Sequence, residues 1–303
     1  MESTLIKKIT VPVDYSETSR SALALALEMS RQHQASLHLL YVVEQYQCIS
    51  ISENGLIIDF TKESIKAAEL KRLQKLANEV IDGQTAYVVE CRIANDLSTA
   101  VVEAALEQES DLIVMGTQVT SGFVSHFVGS VAYDVVKTAP CPVLTVPNHR
   151  AWTAFKKILF PVRPVATALE KYDLAKAMIR HNKAELTVLG LYNEDTPQLS
   201  DALTEMLSNL EIQLKYDRIW ASIELADTEE GAELVLFKSR QLDVDLIIIT
   251  ADESETSGSF FESPYTEQII NQSKVPVLSI RPAPVRVVQM QPIDAIPVFS
   301  VVA

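Results

Sequence analysis

The chain states its opening pattern twice. Lys7-Lys8-Ile9-Thr10-Val11-Pro12-Val13 returns as Lys156-Lys157-Ile158-Leu159-Phe160-Pro161-Val162, and LHLLYVV at 37–43 returns as LTVLGLY at 186–192. Both pairs stand 149 residues apart (8 to 157, 37 to 186). Asp111-Leu112-Ile113-Val114-Met115 then returns as Asp245-Leu246-Ile247-Ile248-Ile249, and CPVLTV at 141–146 as VPVLSI at 275–280. These later pairs stand 134 residues apart (111 to 245, 141 to 275), so the second copy is 149 − 134 = 15 residues shorter somewhere in its middle. Residues 44–60, which read as an irregular excursion, are the place to look for that difference. An internal repeat of this length restricts the chain to a fold unit made twice.

Within a copy, short apolar runs alternate with amphipathic stretches. Residues 7–13, 36–43, 85–90, 111–115 and 142–146 are β-branched-rich and bounded by turn residues, the pattern of buried strands. Ala22, Leu23, Ala26 and Leu27 recur at helical spacing, as do Ile65, Leu73, Leu76, Val80 and Ile81. Ser16 is placed to cap the first helix, with Glu17 beside the positive end of its dipole. Strand–helix alternation implies right-handed crossovers and a parallel sheet covered on both faces. The expected fold class is α/β: two tandem, doubly wound, five-stranded parallel-sheet domains at 1–147 and 157–282. Residues 148–156 then form a linker, and 283–303 an apolar, proline-rich tail.

Bulk properties exclude several functions. A net charge of −14 lacks the clustered cations that nucleic acid and anionic membranes need. No apolar run reaches the roughly 20 residues of a membrane span, and the first residues carry no secretory signal. Cys48, Cys91 and Cys141 have no C-x-x-C pairing and read as small buried hydrophobes of a reducing compartment. The expected location is the cytoplasm. His33, His38, His126, His149 and His181 show no metal-ligand spacing, and Ser125-His126 has no nucleophile elbow around it. No catalytic residue and no metal ligand can be named.

In a doubly wound sheet, ligands bind beyond the carboxyl ends of the strands where strand order reverses, here after the first and fourth strands. Asp14 follows the first strand, where its carboxylate could either accept from an exocyclic amine or ribose hydroxyl or cap the next helix. After the fourth strand comes GTQVTSGFVSHFVGS at 116–130, with three of the chain's eight glycines. Val131, Val135 and Val136 mark a helix after Gly129-Ser130. Amide groups at such a helix start suit a phosphate, with Gly129 allowing close approach and Ser130 donating its hydroxyl. A long surface loop that uses glycine only to turn fits the same residues. No lysine follows the glycine, so this is not a Walker loop.

Together, Lys8–Asp14 and the 111–146 block resemble the universal stress protein family in its tandem form, over nearly the whole chain outside the tail. That resemblance implies an adenine-nucleotide alpha-hydrolase-like fold, with two halves paired through their fifth strands about a pseudo-two-fold axis. Nucleotide-binding members carry G-x2-G-x9-G-[ST] after the fourth strand. Gly116 and Gly129-Ser130 keep the outer spacing, whereas the middle glycine falls at Val119, with Gly122 nearby. By the match, Asp14 and the backbone of Val42 contact adenine, Gly116 lines the ribose side, Gly122 keeps the loop pliable, and Gly129 and Ser130 hold phosphates. The implied ligand is ATP with Mg2+, and the implied role is stress response by nucleotide-dependent association with an unidentified protein, with at most slow hydrolysis. The internal pseudo-dimer leaves a further homodimer open. An interaction scaffold with no nucleotide in either half is the alternative.

The second copy departs further. Asp14 corresponds to Arg163, Gly116 to Thr250, Val119 to Glu253, and Gly129-Ser130 to Ser263-Pro264, with Asp252, Glu255 and Glu262 adding negative charge. This half is expected to bind no nucleotide, and Arg163 to be solvated or locally paired. The tail, RPAPVRVVQMQPIDAIPVFSVVA from 281, is valine-rich, and its prolines restrict it to edge strands or surface crossings. It is expected to pack along the body or across a dimer partner.

Overall fold

The computed structural model describes residues 6–45, 49–51, 57–59, 62–117, 130–147, 154–165, 167–193, 197–251 and 265–281. The first half runs β1 (Lys8–Pro12), α1 (Glu17–His33), β2 (Ser36–Glu44), β3 (Ile49–Ile51), β4 (Ile57–Asp59), α2 (Lys62–Val80), β5 (Tyr87–Ala94), α3 (Leu97–Glu107), β6 (Leu112–Thr117), α4 (Ser130–Thr138) and β7 (Val143–Pro147). The second runs β8 (Lys157–Val162), α5 (Tyr172–Asn182), β9 (Glu185–Tyr192), α6 (Pro197–Asp217), β10 (Ala221–Asp227), α7 (Gly231–Gln241), β11 (Leu246–Thr250), α8 (Tyr265–Gln272) and β12 (Val277–Ile280). The 15-residue difference falls between β2 and α2, as expected. That stretch is not wholly irregular: β3 and β4 pair antiparallel as a short hairpin.

Ten strands form one sheet in the order β10-β9-β8-β11-β12-β7-β6-β1-β2-β5. Each half is therefore a five-stranded doubly wound unit, with order reversing between β1 and β6 and between β8 and β11. Pairs within a half are parallel, while β7 and β12 pair antiparallel. Leu144 lies opposite Leu278, its own counterpart in the repeat, while Thr145 faces Val277 and Val143 faces Ser279. A pair of equivalent residues facing each other marks where a pseudo-two-fold axis crosses the sheet.

One apolar core runs under α1, α2, α5 and α6 along a single face of the whole sheet, joining the two halves. On the opposite face α3 and α4 bury one cluster, and α7 and α8 another. Ser16 caps α1, its hydroxyl accepting from the Ser19 amide at 3.2 Å. Cys91 and Cys141 are free thiols, and burial pushes them up to about 11 and about 12. Such thiols are held as inert neutral groups. Cys48, most of the linker and the tail beyond Arg281 lie outside the described residues.

Candidate functional site

The first half's reversal point lies beyond the carboxyl ends of β1 and β6. There the chain leaves β1 through Asp14 and Tyr15, and Tyr15 takes φ 64°, a conformation bulky side chains rarely hold. This turn brings the Ser16 amide and hydroxyl onto the Asp14 carboxylate, at 2.9 and 2.5 Å. Partial burial raises the Asp14 pKa, but hydrogen bonds from Ser16 and Ser19 outweigh it and leave the group below the usual carboxylate value. Asp14 is thus an exposed, ionised acceptor. It is not the helix cap, because Ser16 holds that place.

Tyr15 is fixed from the other side. Its ring meets Tyr41 of β2 at 5.1 Å between centroids, and the Arg72 guanidinium of α2 lies 3.8 Å over it. The backbone beside Asp14 is therefore braced by two elements, β2 and α2. Val42 follows from the ladder: Val13 N–H donates to Leu40 O at 2.8 Å, so Leu40 directs its peptide groups toward β1. Val42, two residues on, turns its amide and carbonyl toward the same edge, beyond the last β1–β2 pair at Pro12 and Leu40. Asp14 and the Val42 backbone thus both stand just beyond the last β1–β2 pair, at the carboxyl end of β1.

Gly116 lies one residue before the end of β6 on the other side, and its lack of a side chain has a local cause. A Cβ there would lie 2.5 Å from the carbonyl carbon of Thr18 and 2.8 Å from the Ser19 amide nitrogen, both backbone atoms of α1. The first turn of α1 packs so closely on β6 that only glycine fits, whether or not a ligand binds. Ser130 begins α4, where the spacing placed a helix start. Val119, Gly122 and Gly129 lie outside the described residues, as does the side chain of Ser130.

The corresponding crevice of the second half is filled by the protein's own side chains. Its first helix, α5, starts later and lacks a side-chain cap, and the lead-in 167–170 forms turns instead. These turns bring Lys171 into the crevice, 3% exposed, where its Nζ donates to Pro161 O at 2.5 Å and sits 4.5 Å over the Phe160 ring. Burial first, and the Arg163 charge second, push Lys171 down to about 7. Arg163 lies 4.0 Å over Tyr265, the first residue of α8, whose hydroxyl burial raises to about 12. Thr250, at the place of Gly116, bonds Ala168 O at 3.4 Å. A cavity of about 10 Å3 remains among these residues, room for no more than about one water.

Arg163 is therefore neither simply solvated nor paired only within its own turn; it stacks on an aromatic ring. Sequence reasoning missed Lys171 and Tyr265, because Glu170-Lys171-Tyr172 reads as the polar start of a helix. The second half's glycine-loop counterparts, Glu253 and Ser263-Pro264, lie outside the described residues. Among the described residues no cluster of His, Cys, Asp and Glu could hold a metal ion, and no helix is long and apolar enough to cross a membrane.

Known proteins place this geometry. Residues 5–147 match the universal stress protein family. Universal stress protein MJ0531 of Methanocaldococcus jannaschii is 35% identical over 145 residues, 47% of this chain and 82% of that protein. A longer match, 24% identical over 252 residues, is to the Na(+)/H(+) antiporter NhaS5 of Synechocystis; it covers 77% of this chain but only 35% of that protein. The crystal structure of a universal stress protein from Archaeoglobus fulgidus superposes with a TM-score of 0.71 at 18% identity, covering 91% of this chain and 97% of that one. The sheet order, with one reversal point in each half, is that of a doubly wound α/β fold. The chain belongs to the universal stress protein family.

Proposed function

We propose that the protein binds one adenine nucleotide per chain, ATP with Mg2+, in its first half, and that the second half carries none. The contrast between the two crevices supports this reading. One presents an ionised carboxylate and a strand edge, and the other is closed by Lys171, Arg163 and Tyr265. Asp14 accepts from the exocyclic amine or the ribose, and the Val42 amide and carbonyl take the edge of the base. Gly129 and Ser130 at the start of α4 hold phosphates with backbone amides and a hydroxyl. In this reading the nucleotide acts as a signal that changes association rather than as a substrate. This role belongs in the cytoplasm, where ATP is abundant.

Titration calorimetry with Mg-ATP tests it. One site per chain is expected. Gly129→Val should abolish binding, and Asp14→Asn should weaken it about tenfold, the worth of one charge-assisted hydrogen bond. The absence of heat and of thermal stabilisation at saturating nucleotide overturns the proposal. It would favour the alternative scaffold, for which packing alone accounts for Gly116.

A further inference from the structure

The two outer edges of the sheet are finished differently. At the first half's edge, α2 packs over β5 as well as β2. At the second half's edge the equivalent helix, α6, packs on β9 and barely reaches β10. The α6-side face of β10, formed by Ala221, Ile223 and Leu225, is left beside an open groove of about 830 Å3. Leu207 and Leu214 of α6 form its opposite wall, and Trp220 stands at its mouth, 92% exposed. Leu225 is 60% exposed, although it projects toward Leu207 across Gly190. On its outer side β10 pairs with no described strand, so it presents ladder groups as well as apolar side chains.

The chain itself supplies a segment of matching chemistry. From Arg281, at the end of β12, 22 residues continue outside the described part. They include Val285, Val287, Val288, Ile296, Val298 and Phe299, with prolines of the kind tolerated only at sheet edges. β12 and β10 are four strand positions apart, about 19 Å, whereas 22 extended residues reach about 70 Å. We propose that the groove between α6 and β10 is the seat of this C-terminal segment of the same chain, which covers Trp220 and adds to the β10 edge.

The chain has two tryptophans, so a Trp152→Phe variant reports on Trp220 alone. In the full-length variant, acrylamide should quench Trp220 several-fold less than in a chain ending at Ala283, at every protein concentration and with no change in mass by light scattering. Leu225→Asp, at an exposed site, should restore quenching in the full-length chain without unfolding it. If Trp220 in the intact chain is as quenchable as in denaturant, the proposal fails without recourse to truncation. Shielding that grows with concentration assigns the groove to a second copy, and shielding that survives truncation assigns it to another ligand. Either result overturns the proposal.

Discussion

A methyl group at position 116 would meet the backbone of Thr18 and Ser19, which cannot rotate away as a side chain could. Gly116→Ala should therefore destabilise the protein by about 1–3 kcal/mol, the usual cost of forcing extra volume into a packed site. Urea denaturation would show it as a lower midpoint at unchanged slope. No loss would mean that the close approach of α1 is not what requires glycine. The glycine was legible in the sequence; its reason was not, because the partner atoms lie almost a hundred residues away. Asp14 was half legible. Its place after β1 could be read from the repeat, but only the Tyr15 turn and the Ser16 bonds show that its carboxylate is tied to Ser16 and leaves the cap to that residue.

Across β1, β2 and β5 runs a polar chain, buried at Thr10 and His38 and partly exposed at Glu90, that no motif announced. Thr10 Oγ1 lies 2.7 Å from Ser110 Oγ and 3.1 Å from His38 Nδ1, and His38 Nε2 lies 2.9 Å from Glu90. The Glu90 carboxylate can only accept, so Nε2 carries the proton and Nδ1 accepts from Thr10. The arrangement has the members of a nucleophile–histidine–acid triad, but Thr10 is wholly buried in the sheet, with no room for a substrate. Desolvation outweighs the attraction of Glu90, and the His38 pKa lies below 6.5. Below about pH 6.5 the unfolded chain consequently binds more protons than the folded one, and stability declines as the pH falls. Unfolding free energies at about pH 7.5 and about pH 5 should differ less in a His38→Gln variant than in the parent. An unchanged difference would show that His38 does not carry this dependence.

The two halves are one sheet and share one core. β7 and β12 are almost entirely buried, and their pairing is the only strand contact between halves among the described residues. Next to it, His33 of α1 and His181 of α5 stack at 4.7 Å, a second contact between near-equivalent positions. A chain cut after Pro147 would expose β7 as a five-residue apolar edge, the feature that drives strand addition. Residues 1–147 produced alone should accordingly self-associate, and size-exclusion chromatography would resolve this. A monodisperse monomer would show that the interface contributes little to the stability of either half.

Periodicity is local, and so the sequence alone determined the repeat, the alternation of strands and helices and the points where strand order reverses. Pairing of the fifth strands came with the family resemblance, and the Leu144–Leu278 register confirms it. Three things were decided by contacts between residues distant in the chain. They are the closure of the second crevice by Lys171 and Tyr265, the packing demand behind Gly116, and the edge of β10 that no described strand covers. A lysine before a helix reads as solvated until the turns around it are known, and an edge strand reads like a central one until its neighbours are counted. The free energy in each case resides in desolvation and steric contact, which depend on what surrounds a residue and only indirectly on what precedes it.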